Sequence, residues 1–120
     1  KMKKIYQILL LAILFSSFSF QNKNVANENI LGEVINAIEN SNFNYFIEQF
    51  QSNTLRVNQR IDGKTMLILA SIHDKPEMIR FLILNGAHFD GKCSNGYDAI
   101  HYAKIHKSYY ALAELIVLKA

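Results

Sequence analysis

From Asn29 onward the hydrophobic positions keep a helical rhythm, broken at regular intervals by turn residues. Leu31, Val34, Ile35 and Ile38 hold the i, i+3, i+4, i+7 spacing, while Glu33, Asn36 and Glu39 fall on the opposite side. That spacing predicts an amphipathic helix with one buried stripe and one wet face. Asn40-Ser41-Asn42 turns the chain into a second helix carrying Phe43, Phe46, Ile47 and Phe50, and a loop runs from Ser52 to Asp62. Thr65 is placed to cap a third helix, Met66 to Ile72, because its hydroxyl can accept one of the free N–H groups of the first turn. Asp74-Lys75-Pro76 turns again. Pro76 opens a fourth helix where its missing N–H costs nothing, and Gly86 ends it where a positive φ is wanted. That helix turns Met78, Ile79, Leu82 and Ile83 inward. Asn95-Gly96, the cap Asp98, a helix from Ala99 to His106, a turn at Lys107-Ser108 and a last helix from Tyr109 to Lys119 repeat the plan. Regular strands are expected nowhere beyond hairpin-like turns at Asp62-Gly63 and Asn95-Gly96.

The plan repeats with a fixed period. Gly63 and Gly96 stand 33 residues apart, and Thr65 matches Asp98, Leu67 Ile100, Ala70 Ala103, His73 His106, Ile79 Leu112, Leu82 Leu115 and Ile83 Ile116. A period of this length means that each segment is one supersecondary unit that buries its apolar face only by stacking on a neighbour. Three units, at about 29–61, 62–94 and 95–120, make an all-α solenoid of helix-turn-helix repeats.

The residues before the repeats change the reading of charge and location. Lys3 and Lys4 precede an unbroken apolar run from Ile8 to Phe15, and Ser17 and Ser19 supply the small side chains a signal peptidase cuts beside. Residues 1–19 are therefore expected to be a signal peptide and 20–28 a disordered, Asn-rich lead-in. The alternative, an uncleaved anchor, is disfavoured because Ile5 to Phe20 is shorter than the roughly 20 residues of a membrane-spanning helix. The chain has 13 Lys+Arg against 10 Asp+Glu, and loss of Lys1, Lys3 and Lys4 leaves ten of each. No basic patch remains to attract nucleic acid or anionic lipid. After cleavage the protein is expected in the periplasm or secreted, without stable membrane insertion. Cys93, the single cysteine, excludes an intrachain disulfide.

Asp62-Gly63-Lys64-Thr65-Met66-Leu67-Ile68-Leu69-Ala70 and Asn95-Gly96-Tyr97-Asp98-Ala99-Ile100-His101-Tyr102-Ala103 resemble the G-x-T-P-L-H-x-A core of ankyrin repeats. Asn85-Gly86-Ala87-His88-Phe89-Asp90 is similar to the G-A-D-V-N ending of that repeat, with Val57-Asn58 a fainter copy. The family's Pro is Met66 and Ala99 here, its His is Ile68 in one copy and His101 in the other, and Asp98 replaces one Thr. The composition and the short lysine-led leader suit a small exported bacterial protein.

The resemblance implies a protein-binding surface made of hairpin tips and the exposed side of each first helix. Carried over, that surface comprises Asp62, Lys64, Ile72 and His73 in the middle unit and Ser94, Asn95, Tyr97, Ile105 and His106 in the third, extended by Glu39 and Asn40. Its mixture of apolar, aromatic and polar groups suits a protein partner, with Tyr97, Ile72 and Ile105 as anchors. Ile72 and Ile105 are equally open to partial burial against a neighbouring helix. Such a module would be an immunity-type inhibitor or an accessory factor for an exported enzyme.

Two other classes compete. His73, His101 and His106 would serve a haem- or metal-handling protein, but His73 and His106 in adjacent units stand about one helix diameter, roughly 10 Å, apart, too far for ligands that each lie about 2 Å from one zinc ion. No cofactor and no metal are expected. The second class is a self-assembling unit: the last helix is apolar nearly all round, where a terminal repeat calls for a polar outer face, so Leu112, Leu115, Val117 and Leu118 could join two copies. Neither a nucleophile elbow, a paired-carboxylate motif nor a phosphate-cradling glycine loop occurs. The chain is not expected to be an enzyme.

Overall fold

A computed structural model describes residues 29–120; the expected signal peptide and lead-in lie outside the described residues. Residues 29–39 are helical (α1), followed by α2 (Phe43–Gln51), β1 (Arg60–Ile61), β2 (Lys64–Thr65), α3 (Met66–Ile72), α4 (Pro76–Leu84), α5 (Ala99–Ile105) and α6 (Tyr109–Lys119). The all-α repeat architecture is as the sequence implies. Its boundaries follow local chemistry. Thr65 Oγ1 accepts the Ile68 N–H at 3.2 Å and Asp98 Oδ1 the His101 N–H at 2.9 Å, so both inner helices start on a side-chain cap. Asn42 caps α2 through the Tyr45 N–H.

Among the described residues one hairpin pairs Arg60 with Thr65 and Ile61 with Lys64, antiparallel. Asp62 and Gly63, at φ 52° and 78°, supply the two positive φ values of a type I′ turn, whose twist matches that of the strands. The tip at Asn95-Gly96 is built differently. There the Gly96 N–H reaches the Cys93 carbonyl and the Cys93 N–H the Tyr97 carbonyl, with Gly96 alone at positive φ among the three loop residues. This is a three-residue loop with a left-handed glycine at its end, one residue longer than the first tip.

Ser41, Asp74 and Lys107 also recur at a spacing of 33 and all take φ between 52° and 56°. They are the left-handed turn residues between the paired helices of successive units. Asp74 does a second thing: its Oδ1 accepts the Ala111 N–H of α6 at 2.7 Å. Ser108, at the N-cap of α6, directs its hydroxyl to the Ile72 carbonyl at 3.1 Å instead. The middle unit thus caps the outer helix of the next unit, and that unit returns a bond to α3.

Residues 31–120 form one compact unit. α3 packs on α4 and α5, and α6 packs on α4 and α5, which is the two-layer stack of inner helices against outer helices. Val34, Ile38, Phe46, Met66, Ile68, Met78, Ile79, Leu82 and Leu115 are fully buried in it. Phe43 and Phe46 of α2 meet Phe81 of α4 at ring-centroid distances of 5.2 and 6.4 Å, tying the first unit to the second. Ala70 and Ala103, both 0 % exposed, let helices close on each other. Between loops, Asn58 acts as a clasp: its amide donates to the Gly86 carbonyl at 3.0 Å and accepts the His88 N–H at 2.9 Å.

One residue assigned to the self-association face belongs elsewhere. Leu115 is 0 % exposed and points with Ala111 into the contact with α4 and α5. An all-apolar helix hides its own orientation from a periodicity argument, and the neighbours decide which side is core.

Candidate functional site

The inner helices and the first hairpin enclose a groove of about 340 Å³, lined by Leu31 and Ile35 from α1, Ile61, Asp62 and Lys64 from the hairpin, Leu69 and Ile72 from α3, and His106 after α5. The floor is aliphatic because the i, i+4 pair Leu31–Ile35 and the i, i+3 pair Leu69–Ile72 face each other across α1 and α3. The rim is polar, with Asp62 and Lys64 on one side and His106 on the other. Of the surface residues read from the sequence, Asp62, Lys64, Ile72 and His106 converge here. Ile72 is half-buried, so it both packs and lines the floor.

A second, more polar depression of about 310 Å³ lies between the two tips, lined by Asp62, Gly63, Lys64, Cys93, Ser94, Asn95 and Tyr102. The Ser94 N–H donates to the Gly63 carbonyl at 2.9 Å and the Arg60 Nε–H to the Lys92 carbonyl at 2.8 Å, so adjacent tips are fastened edge to edge. Cys93 is buried, and its sulfur accepts from the Tyr102 hydroxyl at 3.2 Å and from the Asn95 N–H at 3.3 Å. The Tyr102 hydroxyl, helped by backbone N–H groups, holds the thiol below its ordinary value against the opposing effect of desolvation. The same bond to Cys93 raises Tyr102.

The remaining expected residues stand apart from the groove floor. His73 Nδ1 faces Glu39 Oε1 at 3.1 Å, joining the first two units along the inner face. Tyr97 is exposed and stacks on the His101 ring with centroids 4.1 Å apart and planes 10° from parallel. Tyr102 stacks more loosely against His106 at 6.2 Å. Ile105 is 58 % exposed. His73 thus faces Glu39, while His101 and His106 both lie against Tyr102, and no group of three or more His, Cys, Asp or Glu side chains comes together among the described residues. Among the same residues no helix is long and apolar enough to cross a membrane.

Sequence reasoning missed Leu31, Ile35, Ile61, Leu69, Cys93 and Tyr102 as lining residues. Leu31 and Ile35 carried a signal: they lie at the edge of the apolar stripe of α1, where a helix facing a groove is half covered. Cys93 and Tyr102 carried none, since a three-residue loop and a cap separate them along the chain.

Residues 34–120 match the family model for ankyrin repeats, in three copies. No curated protein matches the chain.

Proposed function

The chain belongs to the ankyrin-repeat family, whose repeats mediate protein–protein interaction, and from that premise we propose that it acts outside the cytoplasm as a non-enzymatic module holding a protein partner in its inner groove. The observation that carries this reading is the groove itself. Aliphatic side chains from α1, the hairpin and α3 form one floor, and a carboxylate, an ammonium and an imidazole rim it. An apolar centre with a polar margin is the layout of protein-binding surfaces, in which a few buried anchors supply most of the affinity. The tip residues Ser94, Asn95 and Tyr97 and the inner-face Ile105 extend the surface past the groove. Such a module works by occupying its partner, as an inhibitor of immunity type or an accessory factor for an exported enzyme does. Export rests on the lysine-led apolar leader.

The test separates the inner face from the back. Ile72→Asp combined with Ile105→Asp should cut partner capture from the extracytoplasmic fraction by tenfold or more, with helicity unchanged. Leu84→Asp, on the outer helix α4, should leave capture intact. Equal capture by all three proteins would rule out the inner groove. Intact-mass measurement of the exported protein should show loss of residues 1–19; a full-length chain in the cytoplasmic fraction would rule out the location.

A further inference from the structure

We propose that Asn95 is a modification site: in the folded protein its side-chain amide is lost to water through a cyclic imide formed with Gly96, ahead of Asn85, which carries the same Asn-Gly sequence. Four of the five glycines follow an Asn or Asp, at Asp62-Gly63, Asn85-Gly86, Asp90-Gly91 and Asn95-Gly96. A glycine has no side chain to crowd its own backbone nitrogen, and that nitrogen can attack the γ-carbon of the residue before it. At an asparagine the new N–C bond closes a five-membered succinimide and expels ammonia. Water then opens the ring at either carbonyl, giving aspartate or its β-linked isomer. The sum is one amide and one water consumed, one carboxylic acid and one ammonia formed. An aspartate enters the same ring far more slowly, because an ionised carboxylate resists attack. The two Asn-Gly pairs are therefore the reactive ones.

Ring closure turns the Asn–Gly peptide plane, so the bonds that hold it must open first, and segments tied by few bonds open most readily. At Asn85 three bonds stand in the way. Its Nδ2, the leaving nitrogen, donates to the Phe81 carbonyl at 2.8 Å. The Gly86 N–H donates to the Ile83 carbonyl at 3.0 Å, and the Gly86 carbonyl accepts in the Asn58 clasp. At Asn95 one bond does: the Gly96 N–H donates to the Cys93 carbonyl at 3.0 Å. Asn95 itself is bonded through its backbone N–H to the Cys93 sulfur, a nitrogen that ring closure leaves in place. Its side-chain amide has no hydrogen-bond partner among the described residues and the residue is exposed.

Asn95 also lines the polar depression between the tips with Ser94 and Lys64, where the water that opens the ring has access. That exposure belongs to the tip position: Asp62, one period earlier in the middle unit, is exposed too. The product sets a new carboxylate on the depression that Asp62 and Lys64 share. In the β-linked form it also adds a backbone carbon to a loop of three residues.

Peptide mapping tests this, because cleavage after Arg80, Lys92 and Lys104 puts Asn85 in Phe81–Lys92 and Asn95 in Cys93–Lys104, each with a single asparagine. The folded full chain is incubated at mildly alkaline pH and followed by mass spectrometry. Acid should accumulate in Cys93–Lys104 at least about fivefold faster than in Phe81–Lys92, since each further bond to be opened divides the reactive population by about two to ten. In urea-unfolded protein the two rates should converge. Asn95→Gln, whose ring would need six members, should abolish the signal in its own peptide and leave that of Asn85 unchanged. Equal rates in the folded protein, or conversion at Asn85 first, overturn the proposal. So does acid at Asn95 that forms only after unfolding, or a difference that persists in urea and so originates in the sequence.

Discussion

The middle and last units are built from the same repeat, yet their inner helices live in different surroundings. In α3, six of seven residues are buried, Met66 through Ser71; in α5, also seven residues long, only Ala99 and Ala103 are. Both begin with a capping side chain and both hold an alanine at the helix contact, so the difference lies in the neighbours. α3 has a unit on each side and α5 has one on one side. Chemistry has followed: Ile68 and Leu69 of α3 are replaced by His101 and Tyr102 in α5, aromatic groups that tolerate water at one end. Burial in a solenoid belongs to the interface between units and not to the unit.

The largest test of that contrast is to truncate equivalent positions. Ile68→Ala should cost about 2–5 kcal/mol, as aliphatic truncation in a sealed core does. His101→Ala, at the half-open equivalent, should cost under about 1 kcal/mol; urea unfolding followed by circular dichroism measures both. Equal costs would mean that the inner helix of the last unit is covered in solution. Next in size is the link between the two units. Asp74→Ala leaves the Ala111 N–H without its carboxylate acceptor and should cost about 1–2 kcal/mol. Hydrogen exchange should show the loss in α6 before α3, because α6 is the helix left uncapped.

The tyrosine that replaces Leu69 gives a subtler handle. Tyr102→Phe removes the hydroxyl that most lowers the Cys93 thiol, so the midpoint of thiolate absorbance should move to higher pH; an unmoved midpoint would show that the backbone N–H groups alone set it. The smallest effect is expected at the first junction. Glu39→Gln removes the carboxylate facing His73, but Glu39 is more than half exposed, and surface pairs of this kind are worth at most about 1 kcal/mol. A larger loss by thermal melting would make this pair a structural tie between the first two units.

Much of the fold could be read before any coordinates. Thr65, Pro76, Gly86 and Asp98 mark helix ends by backbone chemistry that acts locally, and α3, α4 and α6 begin where those residues and the turn at Lys107-Ser108 place them. The tip at Asn95-Gly96 was legible as a turn but not as a longer loop than Asp62-Gly63, because its extra residue shows only in the bonds between Cys93 and Tyr97. The site was legible in part. Asp62, Lys64, Ile72 and His106 were reached through the repeat register, whereas the pairing of Cys93 with Tyr102 depends on how a loop lies across a helix. Leu115 was misplaced for the opposite reason: with hydrophobic residues on every side of α6, sequence alone gives no direction to the core.

The Asn58 clasp fixes neighbouring loops with an amide that gives and takes a hydrogen bond at once. An amide neither titrates nor attracts counterions. The join that Asn58 makes between these two loops is therefore indifferent to acidity and to brine, and a partner shaped to that part of the row meets the same template across a wide range of buffers.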